Sequence, residues 1–143
     1  MREAKNCEFV DTNILVYCYD ISSQEKRIKA KEVVLSLWEN KSGCLSVQVM
    51  QEFLVAVTQK VPQPLNYEKA AQIIKDLSLW HYHSPIAGDV LEALNIKERN
   101  NISFWDAMII NSAIVCKCDI IWSEDMNHDQ VIEGVRIINP FLT

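Results

Sequence analysis

The chain has 143 residues, 49% of them apolar, with few Gly and Pro and a net charge of −5. That length can bury a full core without disulfide or metal staples, and residues 1–143 read as one domain with no repeat or low-complexity tract. No apolar run is long enough to span a bilayer. The acidic balance also argues against a protein that coats nucleic acid, which would show a basic surface to displace phosphate counterions.

Met1 to Asn6 is polar and charged, without a hydrophobic signal segment, so a cytoplasmic protein is expected. Cys7, Phe9 and Val10 then lead to an acid, Asp11, followed by Thr12, Asn13 and the apolar run Ile14 to Tyr17. The order is strand, acid, turn, helix. In an open α/β sheet ligands bind at the carboxyl ends of strands, which makes Asp11 a site residue. Asp is also a good helix N-cap, and that purely structural role stands beside the functional one.

Ser22 and Ser23 offer caps for a helix through about Asn40, with Ile28, Leu35 and Trp38 on one stripe and Ala30, Val34 and Leu37 beside it. Its basic residues, Lys26, Arg27, Lys29 and Lys31, read as a solvated face, with contact to a phosphate backbone as the alternative. Lys41-Ser42-Gly43 ends the helix, and Cys44 to Ser46 forms a second strand. The next helix, about Val47 to Lys60, stops at Pro62 and Pro64 and is apolar nearly all round, which predicts burial on most faces. Glu52 in its middle then needs a partner or a cation, unless it faces solvent beside Gln48 and Gln59.

Asn66 caps an amphipathic helix over Tyr67 to Ser78 carrying Ala70, Ile73, Ile74 and Leu77. Leu79 to His83 is a third strand with His81 and His83 on one face. With no third ligand near them in sequence, these read as edge histidines rather than metal ligands. A helix over roughly Ile86 to Arg99 and an Asn100-Asn101 turn follow, and Ser103 opens another helix, SFWDAMIINSAIVCK. Ser103 and Asp106 have capping-box spacing, which explains Asp106 structurally, yet a helix start is also where a site can be assembled.

Asp119 to Trp122 is a fourth strand, ended by Ser123-Glu124-Asp125. A short helix or turn through His128 and Val131 and a last strand, Val135 to Ile138, finish the chain before Asn139-Pro140. Alternating strands and helices predict a mostly parallel sheet covered on both faces. Cys7, Cys18, Cys44, Cys116 and Cys118 form no Cys-x-x-Cys pair and read as reduced core thiols.

Four acids therefore stand out, Asp11, Glu52, Asp106 and Asp125, with no nucleophile elbow and no Gly-rich phosphate loop to rival them, the glycines being Gly43, Gly88 and Gly134. Converging carboxylates repel unless a hard divalent cation joins them, and oxygen-only ligands favour Mg²⁺ or Mn²⁺ over zinc. Such a cation makes an acidic chain locally positive and activates water for in-line attack on a phosphodiester.

Phe9-Val-Asp-Thr-Asn13, the Glu52 helix, Ser103-Phe-Trp-Asp-Ala107 and Ser123-Glu-Asp125 resemble, in order, the motifs of the PIN domain, specifically the small VapC-like toxin ribonucleases. The resemblance spans essentially the whole chain; each motif is weak alone, and their order makes the match specific. It implies a three-layer α/β/α fold around a five-stranded, mostly parallel sheet of order 3-2-1-4-5. It also implies a Mg²⁺- or Mn²⁺-dependent endoribonuclease acting on RNA, with Asp11, Glu52, Asp106 and Asp125 as the catalytic, metal-binding acids and Asn13 and Ser123 supporting them. A homodimer and a cognate antitoxin that covers the site are further implications of the resemblance.

Two departures concern the last motif. Glu124 and Asp129 add acids near Asp125, and spacing from Ser123 favours Asp125 as the ligand. Near Asp129, where similar proteins often carry Gly, this chain has an acid, which leaves the local turn open. The alternatives are a non-catalytic PIN-like module that binds RNA or protein, and a phosphatase or phospho-acceptor domain. Against the phosphatase, Asp11-Thr12-Asn13 lacks the second acid of an Asp-x-Asp signature.

Overall fold

The apolar approach to Asp11 forms β1 (Cys7–Val10), which passes through that residue into α1 (Thr12–Tyr17). This is a computed structural model, and it describes residues 7–142; residues 1–6, read above as a polar start, and residue 143 lie outside the described residues. α2 (Gln24–Asn40) ends at Lys41 in the left-handed conformation, and β2 (Gly43–Ser46), α3 (Val47–Val55) and a π-helical turn (Ala56–Lys60) follow. Then come α4 (Tyr67–Leu77), β3 (His81–His83), α5 (Ala87–Asn100), α6 (Phe104–Val115), β4 (Cys118–Trp122), β5 (Val131–Ile132) and β6 (Val135–Ile138).

The sheet order is β3-β2-β1-β4-β6-β5. Five strands are parallel in the expected order, the fifth being β6, and the two-residue β5 adds an antiparallel edge where a helix or turn was expected. α6, backed by α5, packs over β2, β4 and β6, while α2 packs on β2. With both faces covered, every residue of β2 is buried, as befits a parallel strand. Among the described residues no helix is long and apolar enough to cross a membrane.

Two helices depart from the expected burial. In α2, Ile28 and Leu35 are exposed, and Ala30 and Leu37 are the buried positions. α3 is not buried all round: Val49 and Phe53, continued by Val57 of the π turn, form one buried stripe at four-residue spacing, while Leu54 and Val55 face outward. The helix enclosed on most sides is α6, where Ala107 through Ala113 are all buried. Its polar residues are satisfied there: Asn111 Nδ2 donates to Asp89 Oδ1 at 3.0 Å, Ser112 Oγ lies 2.8 Å from His83 Nδ1, and His83 Nε2 lies 3.2 Å from Asp89 Oδ2. Buried polar groups persist where such partners exist.

Gly43 begins β2 because no side chain fits: a Cβ there would meet the Trp80 ring at 2.7 Å. Gly43→Ala should therefore destabilise the fold by about 1–3 kcal/mol, the usual cost of overpacking, despite alanine's lower chain entropy when unfolded. Urea denaturation checks this, and a variant as stable as the parent would show that the ring moves aside freely.

Candidate active site

The carboxyl end of β1 lies where the strand order reverses, between β1 and β4, the crevice at which open α/β sheets bind ligands. The ladder continues one residue past each strand, with Asp11 N donating to Trp122 O at 2.9 Å and Ser123 N to Ile138 O at 3.0 Å. Asp11 and Ser123 thus emerge side by side. One Asp11 oxygen, Oδ1, accepts from Thr12 N at 2.7 Å and the other, Oδ2, from Ser123 Oγ at 2.8 Å. Asp11 is therefore the N-cap of α1 as well as a member of the acidic cluster.

Asp11 is only 7% exposed. Burial pushes its pKa up to about 6, helped by the charges of Asp125 and Glu52 and opposed by the hydrogen bonds from Ser123 and Thr12. Asp106, in the first turn of α6, is raised for the same reasons, by burial first and then by Asp125 and Glu52. Its backbone N–H donates to Ser103 Oγ at 3.0 Å, the expected cap at this helix start.

Asp125 is held from two sides: its N–H donates to Ser123 Oγ at 3.2 Å, and Asn13 Nδ2 donates to its Oδ2 at 2.8 Å. The other end of the Asn13 amide accepts Glu124 N–H at 3.1 Å. The neighbouring acids point elsewhere. Glu124 accepts from Tyr17 Oη at 2.6 Å and from Lys26 Nζ, and Asp129 is paired with Arg136. Of the three acids in this stretch, Asp125 is the one whose charge acts on Asp11 and Asp106. Asp129 sits at φ +66°, a left-handed position where Gly is at ease and Asp is tolerated, which explains an acid at this turn.

Glu52 is exposed rather than enclosed in α3. Its partners are Thr12 Oγ1, which donates to Oε2 at 2.8 Å, and Gln48 Nε2, which donates to Oε1 at 2.9 Å. The surface-facing position beside Gln48 is what the structure has, together with a link to the end of β1. The roles of Thr12, Tyr17 and Lys26 were not apparent from sequence; the four-residue spacing of Gln48 and Glu52 was the one visible sign of this network.

The four acids thus face one site, and among the described residues none of them forms an ion pair. Their bonds come from hydroxyls, amides and backbone N–H groups, which orient a carboxylate without cancelling its charge. An oxygen-only, uncompensated donor set suits a hard divalent cation such as Mg²⁺ or Mn²⁺. An open groove of about 620 Å³ leads away from Asp125 and Glu52, lined by Thr12, Asn13, Tyr17, Gln51 and, as its cation, Lys60. Asp11 and Asp106 are not part of its lining.

Comparison with known proteins gives a consistent picture. The family model for the PIN domain matches residues 9–133. No curated protein matches the chain. Among solved structures, a toxin–antitoxin complex from Klebsiella pneumoniae is 19% identical, with a TM-score of 0.66 over 93% of this chain and 97% of that one. The Mycobacterium tuberculosis toxin VapC20, which cleaves the sarcin-ricin loop, is 18% identical, with a TM-score of 0.63 over 84% of this chain and 91% of its own. DNA-bound VapBC from Salmonella typhimurium is 16% identical, with a TM-score of 0.62 over 93% and 97%.

The buried Asp11 carboxylate carries a stability consequence. A carboxyl whose folded pKa is raised keeps its stabilising contribution below the unfolded value and loses it as pH climbs from about 3.8 through about 6. Asp11→Asn, neutral throughout, should stabilise the metal-free protein at pH 7.5 by about 1–3 kcal/mol and change little near pH 3.5. Melting curves in a chelator at the two pH values test this, and an unchanged or lowered midpoint at pH 7.5 would count against it.

Proposed function

From the premise that the chain belongs to the PIN domain family, we propose that it is a divalent-metal-dependent endoribonuclease and the toxin of a toxin–antitoxin pair. The observation that carries the reading is the set of four carboxylates without a cationic partner at the strand-order reversal. Asp11, Glu52, Asp106 and Asp125 would hold Mg²⁺ or Mn²⁺. A cation held there would supply a water of lowered pKa for attack on a phosphodiester and positive charge to offset the negative charge that develops.

The protein's own part is positioning. Ser123 fixes Oδ2 of Asp11 and the backbone of Asp125, Asn13 fixes the Asp125 side chain, and Thr12 and Gln48 hold Glu52. The adjoining groove accepts an RNA strand, and Lys60 supplies a phosphate contact in an otherwise uncharged or acidic lining. The likeness to toxin–antitoxin complexes supports an antitoxin partner. In this reading the antitoxin covers the groove, and the protein acts as a homodimer in the cytoplasm.

RNA cleavage in Mn²⁺ tests the reading. Asp11→Asn and Glu52→Gln should each lower cleavage by roughly 100-fold or more, and Ser123→Ala by about 10-fold, as expected for a partner that orients a ligand. Undiminished cleavage in Asp11→Asn would refute the assignment, while metal binding without any cleavage would favour a non-catalytic module.

Lys60→Ala should weaken RNA binding and lower the slope of log affinity against log salt by about 0.7, the share of one phosphate contact on a single strand. Fluorescence anisotropy over a salt series measures that slope, and an unchanged slope would remove Lys60 from the interface.

A further inference from the structure

The opposite edge of the sheet, where the strands begin, gathers a second set of ligand atoms. In the parallel ladder Cys44 of β2 pairs with His81 of β3, and Cys7 of β1 with Cys118 of β4. Cys116 caps the end of α6, and a left-handed Lys117, at φ +60°, turns the chain between Cys116 and Cys118. One ligand atom each from Cys44, His81 and Cys116 all lie within 4.8 Å of one another. The Cys118 thiol lies near both Cys44 and Cys7.

Free cysteines are commonly small buried hydrophobes, and Cys44 and Cys116 are buried enough to fit that description. His81 does not fit it. Its ring stands on the edge strand, exposed, shares a cluster with two buried thiols, and has no hydrogen-bond partner among the described residues. It leaves one side of the cluster open to solvent. Donor atoms around one tetrahedral zinc lie about 3.4–3.8 Å apart, given Zn–S near 2.3 Å and Zn–N near 2.0–2.1 Å. Closing from 4.8 Å therefore asks a separation to shorten by about 1.0–1.4 Å, shared between two side chains and within the reach of their rotation.

We propose that Cys44, His81 and Cys116 form a binding site for a thiolate-preferring divalent cation, Zn²⁺ first, with Cys118 or water completing the tetrahedron. The donors are two sulfurs and an imidazole, a set that selects zinc and discriminates against the hard cations suited to the carboxylates at the other edge. The ion ties β2, β3 and the junction of α6 with β4. This site is separate from the acidic one and does not depend on the proposed nuclease activity.

Cobalt reports on it directly. The full chain, reduced and metal-free, is titrated with Co²⁺ in excess Mg²⁺, which occupies carboxylate sites without competing for thiolates. One equivalent should give sulfur-to-cobalt charge-transfer absorption and tetrahedral ligand-field bands, both bleached by Zn²⁺. His81→Ala, at an exposed position that leaves the core intact, should weaken Co²⁺ binding by at least about 10- to 100-fold. Cys116→Ser should reduce the charge-transfer intensity. Absence of a thiolate band overturns the proposal, as does an undiminished affinity in His81→Ala or thiol counting that finds Cys44 and Cys116 joined as a disulfide under the same reducing conditions.

Discussion

One hydroxyl holds the two central acids in register. Ser123 Oγ, fully buried, donates its proton to Asp11 Oδ2 and accepts the backbone N–H of Asp125. A hydroxyl has one donor and two acceptor positions, so it can satisfy both neighbours while adding no charge. A lysine or arginine in that place could donate to Asp11 but could not accept the Asp125 N–H, and it would cancel the negative potential. The choice of a neutral link leaves the site with its charge intact and its side chains fixed.

That link is only as rigid as the strands and helices carrying it. Asp11 and Ser123 sit one residue beyond adjacent parallel strands, where the backbone ladder still binds them. Asp106 is carried by α6, whose burial along Ala107 to Ala113 and whose polar contacts to His83 and Asp89 fix its seat on the sheet. Asp89 also accepts the Ile86 backbone N–H, the first cause of its depressed pKa, so the start of α5 is joined to the same network. Glu52 depends least on the core: it is exposed, and Thr12 and Gln48 hold it in place.

Much of this was readable from sequence where a residue type and a local period coincide. An acid at the end of an apolar strand, as at Asp11, marks a position that topology alone places at the crevice. Glu52 stands out in sequence because its helix is apolar nearly all round, which predicts burial on most faces; the helix has one buried stripe, and the acid is a surface residue turned toward Thr12. Apolar composition counts residues, whereas burial depends on which neighbours arrive, and α6 rather than α3 received them on most sides. The Cys44, His81 and Cys116 cluster was hidden for a related reason. Its members are 37 and 35 positions apart in the chain, and only the strand order brings the starts of β2, β3 and β4 to a common edge.

The π-helical turn at Ala56–Lys60 has an effect on the groove that its length does not suggest. Val61 N–H reaches back five residues to Ala56 O, so the chain there carries a wider loop of backbone than an α-helix would. Val57 stays in the core, and Lys60 appears among the groove residues. The widened turn acts as a phase shifter between an apolar face and a cationic one. Helical spacing carried on from Val57 would bring Lys60 round toward the buried face, whereas the wider turn leaves it exposed at the groove.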